Sequence, residues 1–415
     1  MNILIYSHTF WPNVGGVEDI GHNLATQMTD LGHVVTVVTP VPSNESRAVS
    51  YKIVRNPASD EVWRLVRSSD VVHSNGIAMA LLVPALMLGK PFTWAHHGYQ
   101  LQCIDGAGWV AGAPAPMQPW SSFLHHARIF GLARAASGGI KLALRRIAAQ
   151  FVSANIPTSE HLALRQPTPR QVVIYNPVDS SLFAVDNQQN AGLVRDNFAE
   201  NVRENVQENV VREAQRRVQE APVMFTYIGR LITEKGVDDL LHALAALVSS
   251  GDIVGNGPIL LKVIGDGPEG KTLQELAQRL NLDGCVEWVG PKVNDALKPE
   301  VVNAGVCIIP SAWEEPGALT VMNLMSAGKP LIVSRRGFLS ECAGDAALVF
   351  ENQNRTELAD AMRRLGSDRT LQNQLVVSSL ERIKKYGSDT SVKRMLKLFE
   401  DLVEPKAARA EEVRS

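Results

Sequence analysis

A doubly wound α/β architecture, present twice in one chain, is what the sequence predicts, and three observations carry it. Short β-branched runs alternate with helical stretches in the first half: NILIYS, VVTVVTP, DVVHS, FTWAHH, FVSANIPTS and VVIYN. A second alternating set starts at Met224 with MFTYIGR and continues through LLKVIGDGP, VEWVG, VCIIPS and LIVS. Between them lies a polar, helix-like stretch of different character, and 415 residues are too many for a single core. The expected boundaries are 1–185 for the first domain, 186–220 for a helical connector or insertion and 221–385 for the second domain. A C-terminal helix over 386–404 and a flexible tail over 405–415 complete the chain.

Charged residues are 20% and hydrophobic residues 45%, which describes a soluble globular protein. The net charge of −2 gives no overall basic character and argues against a nucleic-acid partner. Four separated cysteines (Cys103, Cys285, Cys307, Cys342) contain no CxxC pair, so they read as thiols in a reducing compartment. MNILIYS enters a strand without a basic leader, and the longest apolar run, Ile77 to Leu88, falls short of a membrane span and contains Pro84. A cytoplasmic protein is expected, with peripheral contact to the inner face of the membrane as an option raised by residues 121–150. That stretch holds Arg128, Arg134, Lys141, Arg145 and Arg146, no acid, and interleaved Leu, Ile and Phe. It reads as a basic amphipathic surface for an anionic membrane or a phosphorylated acceptor, or as a solvated helical pair that Gly138 and Gly139 would interrupt.

In the first half, the first strand runs into SHTFWPNVGG, and a helix follows with Ile20, Leu24, Met28 and Leu31 at core-facing spacing. Gly15 and Gly16 at that junction let backbone N–H groups approach a ligand, or simply make a tight turn. His97 ends the FTWAHHG strand at the carboxyl edge of the sheet, where Gly98 suggests an exit that projects the imidazole into a cleft. His96 reads as a core residue, and His73 in DVVHSNG as a weaker candidate. The connector carries the repeat ENVR, ENVQ, ENVV, with Val202, Val206 and Val210 every four residues. Such a stripe drifts around a helix of 3.6 residues per turn and makes a poor coiled-coil seam.

In the second half, Arg230 and Lys235 in YIGRLITEKGV follow the first strand directly, where two cations can neutralise a diphosphate. VCIIPSAWEEPGALTVMNLMSAGKPLIVS is one parallel βαβ unit with its loop at the carboxyl edge. Unpaired N–H groups around Gly317, Ala318 and Leu319 would face an anion. Glu314 and Glu315 beside a phosphate-type site make sense if they hold hydroxyls. A ligand with both phosphates and hydroxyls is a sugar nucleotide.

Taken in order, NVGGVEDIGHNLATQMTDLGHVVTVVT, the His97–Gly98 strand end, SEH at 159–161, NPVD at 176–179, YIGRLITEKGV, VIGDGPE, VEWVG and the PSAWEEPGALTVMNLMSAGKPLIVS run resemble the family 4 glycosyltransferases. The resemblance covers nearly the whole chain. It implies the GT-B fold, two Rossmann-like domains facing a cleft, and retaining transfer of a sugar from a nucleotide diphosphate donor to an acceptor hydroxyl. It places the acceptor in the first domain and the nucleotide in the second. Carried over by residue, Arg230 and Lys235 hold the diphosphate, Gly16 approaches it, His97 lies near the reacting centre, and Glu315 bonds hydroxyls of the transferred sugar. The partners expected are the donor and a saccharide or lipid-linked acceptor of envelope polysaccharide or glycolipid assembly. No cofactor and no metal are expected, since no Asp-x-Asp occurs.

One departure stands out. The family's E-x7-E motif, started at Glu315, reaches Asn323 where a ribose-binding Glu belongs; started at Glu314 it reaches Met322. Asn accepts hydrogen bonds without the charge that strengthens them. E-P-G-A also lacks the usual aromatic–glycine pair. A sugar-nucleotide-binding or scaffold member that no longer catalyses is therefore the alternative, and an epimerase or phosphorylase relative on the same architecture a third.

Overall fold

Two six-stranded parallel sheets carry the chain. The computed structural model describes every residue except 14–15, 44–48, 77, 179–210, 217–223, 252–258, 294–295 and 405–415. Gly15, the valine repeat of the connector and the C-terminal tail therefore lie outside the described residues. The chain divides into unit 1 (Met1–Val110, Pro114–Val178 and Tyr386–Ser415) and unit 2 (Ala111–Ala113 and Asp179–Lys385).

Unit 1 runs β1 (Asn2–Ser7), α1 (Gly16–Asp30), β2 (Val34–Thr39), β3 (Lys52–Arg55), α2 (Ser59–Ser68), β4 (Val71–Asn75), α3 (Met79–Met87), β5 (Phe92–His96), α4 (Pro119–Phe130), α5 (Leu132–Phe151), β6 (Ala154–Pro157) and α6 (Glu160–Arg165). Its strand order is β3-β2-β1-β4-β5-β6. Strands β4 and β5 are buried along their whole length, as parallel strands covered on both faces must be. In register, Ser7 lies beside Asn75 and Asn75 beside Ala95, so the carboxyl ends of three strands meet. VVIYN does not form the strand its composition suggests. Val172 and Ile174 donate to the carbonyls of Asn155 and Pro157, but Pro157 has no N–H to return and the ladder stops.

Unit 2 runs β7 (Met224–Ile228), α7 (Val237–Ser249), β8 (Leu260–Ile264), α8 (Gly270–Arg279), β9 (Val286–Gly290), α9 (Lys298–Asn303), β10 (Val306–Ile309), α10 (Leu319–Ser326), β11 (Leu331–Ser334), α11 (Phe338–Ala343), β12 (Leu348–Phe350), α12 (Arg355–Ser367) and α13 (Arg369–Arg382). The order β9-β8-β7-β10-β11-β12 repeats that of unit 1. Both follow the doubly wound pattern in which the order reverses beside the first strand, and ligands bind at that switch point. The core of unit 2 packs Phe225, Leu240, Leu244, Leu261, Ile308 and Met362 about the sheet. Helix α10 ends in a Schellman motif: Lys329 N–H bonds the Leu324 carbonyl, and Gly328 N–H that of Met325. Residues 211–216 are helical, and Ala214 packs on Val376 and Leu380 of α13.

The last helix, α14 (Ser388–Val403), belongs to unit 1. Val392, Met395 and Phe399 are buried there, and the Phe399 ring lies 5.6 Å from that of His73.

Gly138 and Gly139 do not interrupt the basic region; α5 runs straight through them. A Cβ on Gly138 would stand 2.4 Å from Cγ2 of Ile104, and one on Gly139 would be 3.3 Å from the Phe123 ring. The glycines are there for close packing, which outweighs their cost of about 1 kcal/mol each in a helix. Gly138→Ala should therefore destabilise the protein, where an exposed helical Gly→Ala would stabilise it; a lowered melting temperature in a thermal scan checks this.

Candidate active site

In unit 2 the chemistry gathers where β7 and β10 end. Tyr227, deep in the core, donates its hydroxyl to the Arg230 carbonyl at 2.7 Å and so shapes the loop that leaves Arg230 exposed. Further along that loop the Glu234 carbonyl accepts from Ala312 N–H at 2.8 Å, which docks the Lys235 turn on the segment after β10. Lys235 then pairs with Glu315 through Oε1. The same oxygen accepts from the Ser311 hydroxyl at 2.6 Å. Glu315 is 3% exposed, so its carboxylate is shielded from water, with both donors on one oxygen. The Lys235 ammonium also lies 5.9 Å from the centre of the Trp313 ring, within cation–π range.

The backbone is as fixed as the side chain. Glu315 bridges to Gly337, and its carbonyl accepts from Phe338 N–H at 2.7 Å. Gly337 has φ of +85°, and a Cβ there would sit 2.5 Å from the Glu315 nitrogen. Only glycine lets the chain after β11 approach this closely. Asn352 adds a hydrogen bond of 2.9 Å to the Ser311 carbonyl. Beyond Glu315 the helix α10 starts at Leu319 with no side-chain cap at Ala318, leaving its first N–H groups open to an anion. Asn323 is half-buried one turn further on.

Unit 1 has its own polar cluster. His97, just past β5, pairs through Nε2 with Oδ1 of Asn75 at the end of β4. His73 is fully buried and pairs with the Thr93 hydroxyl at 2.9 Å. A small cavity is lined by His73, Asn75 and His97 together with Thr158, Tyr175 and Asn176. Burial pushes His97 down to about 4, with a smaller push from His96, and burial pushes His73 down to about 3. Both are neutral imidazoles at physiological pH. His96 is a core residue, 1% exposed, with its ring 4.8 Å from Trp94. Gly16 opens α1 and is exposed.

Of the residues singled out from the sequence, Lys235, Glu315, Gly317, Ala318 and Leu319 thus come together in unit 2, with Arg230 on the same loop as Lys235. Lys235 and Glu315, expected to contact different parts of a ligand, are partners of each other. Sequence reasoning did not find Ser311, Trp313, Gly337, Asn352 or Asn75. Two signals could have: Ser311 lies four residues before Glu315, and Asn75 ends a strand next to the one that carries His97. Among the described residues no group of three or more His, Cys, Asp or Glu is arranged to hold a metal, and no helix is long and apolar enough to cross a membrane.

The family model of glycosyl transferases group 1 matches residues 211–387. Those residues are a group 1 glycosyl transferase module. The chain is similar to the D-inositol 3-phosphate glycosyltransferase of Corynebacterium urealyticum, 28% identical over 184 residues; the match spans 42% of this chain and 42% of that relative's length. It is also similar to the glycogen synthase of Mycobacterium tuberculosis, 23% identical over 391 residues, covering 89% of this chain and 86% of that one. Likeness in structure reaches further than the module. Anabaena HepE in complex with UDP superposes with a TM-score of 0.68 at 16% identity, covering 97% of this chain and 100% of that chain. WaaG, a glycosyltransferase involved in lipopolysaccharide biosynthesis, gives 0.62 at 14% identity over 96% and 99%. At such identities the shared property is the fold, and it is GT-B, with the group 1 module as its second doubly wound unit.

Lys235→Met should cost about 3 kcal/mol of stability by leaving a buried carboxylate short of its ionic partner. Adding Glu315→Gln in the same chain should recover part of that loss, a coupling that a double-mutant cycle in urea reads directly. The histidines set a pH dependence. Their folded pKa values lie below the unfolded value of about 6.5, so the unfolded chain takes up protons first as pH falls. Stability should be level above about pH 7 and decline from about pH 6.5 towards 4, and His73→Asn should show a shallower decline in urea titrations.

Proposed function

We propose that the protein is a glycosyltransferase that moves a sugar from a nucleotide diphosphate donor to an acceptor hydroxyl, with retention at the anomeric carbon. The observation that carries this reading is the cluster of Arg230, Lys235, Glu315 and the uncapped start of α10 within a group 1 module. Cations and open N–H groups suit a departing diphosphate, and they do so as fixed positive potential that needs no reorganisation during the reaction. A metal is not required in this scheme, and no cofactor beyond the donor is invoked. Glu315, held by two donors, suits hydrogen bonds to sugar hydroxyls better than attack on carbon. Retention then follows from front-face transfer, with the leaving phosphate oxygen helping to take the acceptor proton. Neutral His97 in unit 1 supplies a hydrogen-bond partner for a sugar hydroxyl.

HepE was solved with UDP, which makes UDP and UDP-glucose the first donors to test. A bound donor raises the melting temperature by mass action, so a panel of sugar nucleotides should contain at least one that does. With that donor, Arg230→Ala should lower kcat/KM at least about a hundredfold, the usual cost of losing a charge that stabilises the transition state. Unchanged turnover in Arg230→Ala would sink the proposed site. The alternative, donor binding without transfer, is favoured by Asn323; donor-induced stabilisation with neither transfer nor hydrolysis would support it.

The acceptor side of the proposal is a lipid-linked or saccharide acceptor at an anionic membrane, approached through unit 1. Along α5, Leu132, Ile140, Leu144, Ile147 and Phe151 are all exposed, and so are Val83 and Met87 of α3. From 79 to 151 the sequence holds a single acid, Asp105, so α3 and α5 themselves carry no carboxylate to repel an anionic lipid. Arg128, Arg134 and Lys141 are exposed beside the apolar stripe. Arg145 and Arg146 are less available: the first is half-buried, and the second donates to the Leu101 carbonyl at 2.8 Å. The protein should sediment with vesicles of phosphatidylglycerol and phosphatidylcholine and less with phosphatidylcholine alone. Leu144→Glu with Ile147→Glu should abolish sedimentation, and equal binding by that variant would contradict the assignment.

A further inference from the structure

We propose that Asn75 is a positioning residue: its amide holds His97 in the one tautomer that carries the proton on Nε2 and offers Nδ1 as a bare acceptor to a hydroxyl of the ligand. The inference rests on the reading of His97 as a contact to the sugar or acceptor, and it adds the group that makes that contact directional.

The orientation of the Asn75 amide follows from its other partners. Nδ2 lies 3.3 Å from the Val17 carbonyl oxygen and 3.3 Å from the Ser7 hydroxyl oxygen. A carbonyl oxygen can only accept. The Ser7 hydroxyl donates its own proton to the Thr9 carbonyl at 2.7 Å, so towards Asn75 it accepts as well. The atom facing both must be the NH2 group, which turns Oδ1 to His97. Oδ1 can only accept, so His97 donates from Nε2. A neutral imidazole has one proton, and burial keeps this one neutral, so Nδ1 is left as a lone pair. The titratable groups around it are His96, His73 and Tyr175, with no carboxylate among the cavity residues.

The preceding residue, His96, shows the same device turned to a different end. Asn155 anchors its Nδ2 on the carbonyls of Ala149 and Pro169, at 2.9 and 2.8 Å, and its Oδ1 faces His96 Nε2 at 2.9 Å. There the other nitrogen, Nδ1, is buried without a partner. His97 differs in being half-buried and in lining the cavity. One asparagine clamps a core histidine; the other clamps a half-buried histidine that lines the cavity.

Three strands make this possible. Asn75 ends β4, Ser7 ends β1 and His97 follows β5, and the parallel register sets their ends side by side. Gly21 contributes room, since a Cβ there would lie 2.9 Å from Ser7 Oγ and 3.4 Å from Asn75 Nδ2.

The test uses full-length protein labelled with 15N-histidine. Long-range 1H–15N spectra at pH 7 should show His97 as the neutral Nε2–H tautomer; an Nδ1–H tautomer or an imidazolium would overturn the proposal whatever the activity. Asn75→Asp keeps an acceptor at the same place but favours the imidazolium, so His97 should titrate at higher pH. In that variant kcat/KM for sugar transfer should fall at least tenfold between pH 8 and pH 6, while the wild type stays level over the same range. Asn75→Leu should lose at least tenfold at every pH and show mixed tautomers. A pH profile in Asn75→Asp that matches the wild type would overturn the proposal. If the tautomer is as stated but His97→Ala transfers sugar normally, the role of His97 itself fails, and Asn75 loses its function with it.

Discussion

A carboxylate that is almost wholly out of water needs donors, and in unit 2 those donors come from residues far apart in the chain. Glu315 takes one from Lys235, eighty residues away in sequence, and one from Ser311, four residues away. To make that possible β7 and β10 must be neighbours, the loop after β7 must dock on the segment after β10, and the chain after β11 must press on the Glu315 backbone with a glycine. Each of these conditions is met by a separate contact: the strand pairing, the Ala312–Glu234 hydrogen bond and the Glu315–Gly337 bridge. The ion pair is thus a consequence of the sheet order and also its local lock. It costs desolvation of two charges, and a pair of that kind is weak evidence for stability alone. Its retention makes more sense as preparation for a ligand that needs a cation and a hydrogen-bond acceptor a few ångströms apart.

Unit 1 solves a related problem with neutral groups. Its buried histidines are kept uncharged by burial, and their orientation is set by asparagines and a threonine hydroxyl. Neutral imidazoles with assigned protons give direction without strong fields, which suits recognition of hydroxyls. Charge and open N–H groups sit in unit 2, where a diphosphate would need them.

Much of the fold was legible because parallel strands buried on both faces read as continuous β-branched runs, and VVTVVT, VCII and LIVS leave little choice. Lys52–Arg55 and Leu348–Phe350 were not foreseen: both are short edge strands, and KIVR has too little apolar character to stand out. The strand proposed at VVIYN failed on one proline in its partner. The glycines of α5 misled because a glycine's cost in a helix is visible in sequence, whereas the Ile104 side chain that requires it is not. At the site, strand-end histidines, the Arg–Lys loop and Glu315 could be read from their places at the carboxyl edge. Their partnerships could not. Which asparagine faces which histidine depends on register between strands that are distant in sequence, and the Lys235–Glu315 pair depends on a loop docking that leaves no pattern in composition.

On the proposed function, Lys235 and Glu315 serve different parts of one ligand although they hold each other in its absence. Calorimetric titration of UDP and of UDP-glucose, or of whichever pair the donor panel selects, into Lys235→Met and Glu315→Gln tests it most directly. Lys235→Met should weaken binding of the nucleotide diphosphate and the sugar nucleotide alike, while Glu315→Gln should spare the nucleotide diphosphate and weaken only the sugar nucleotide. Equal losses for both ligands in both variants would mean that the pair is a structural clamp and that the donor is held elsewhere.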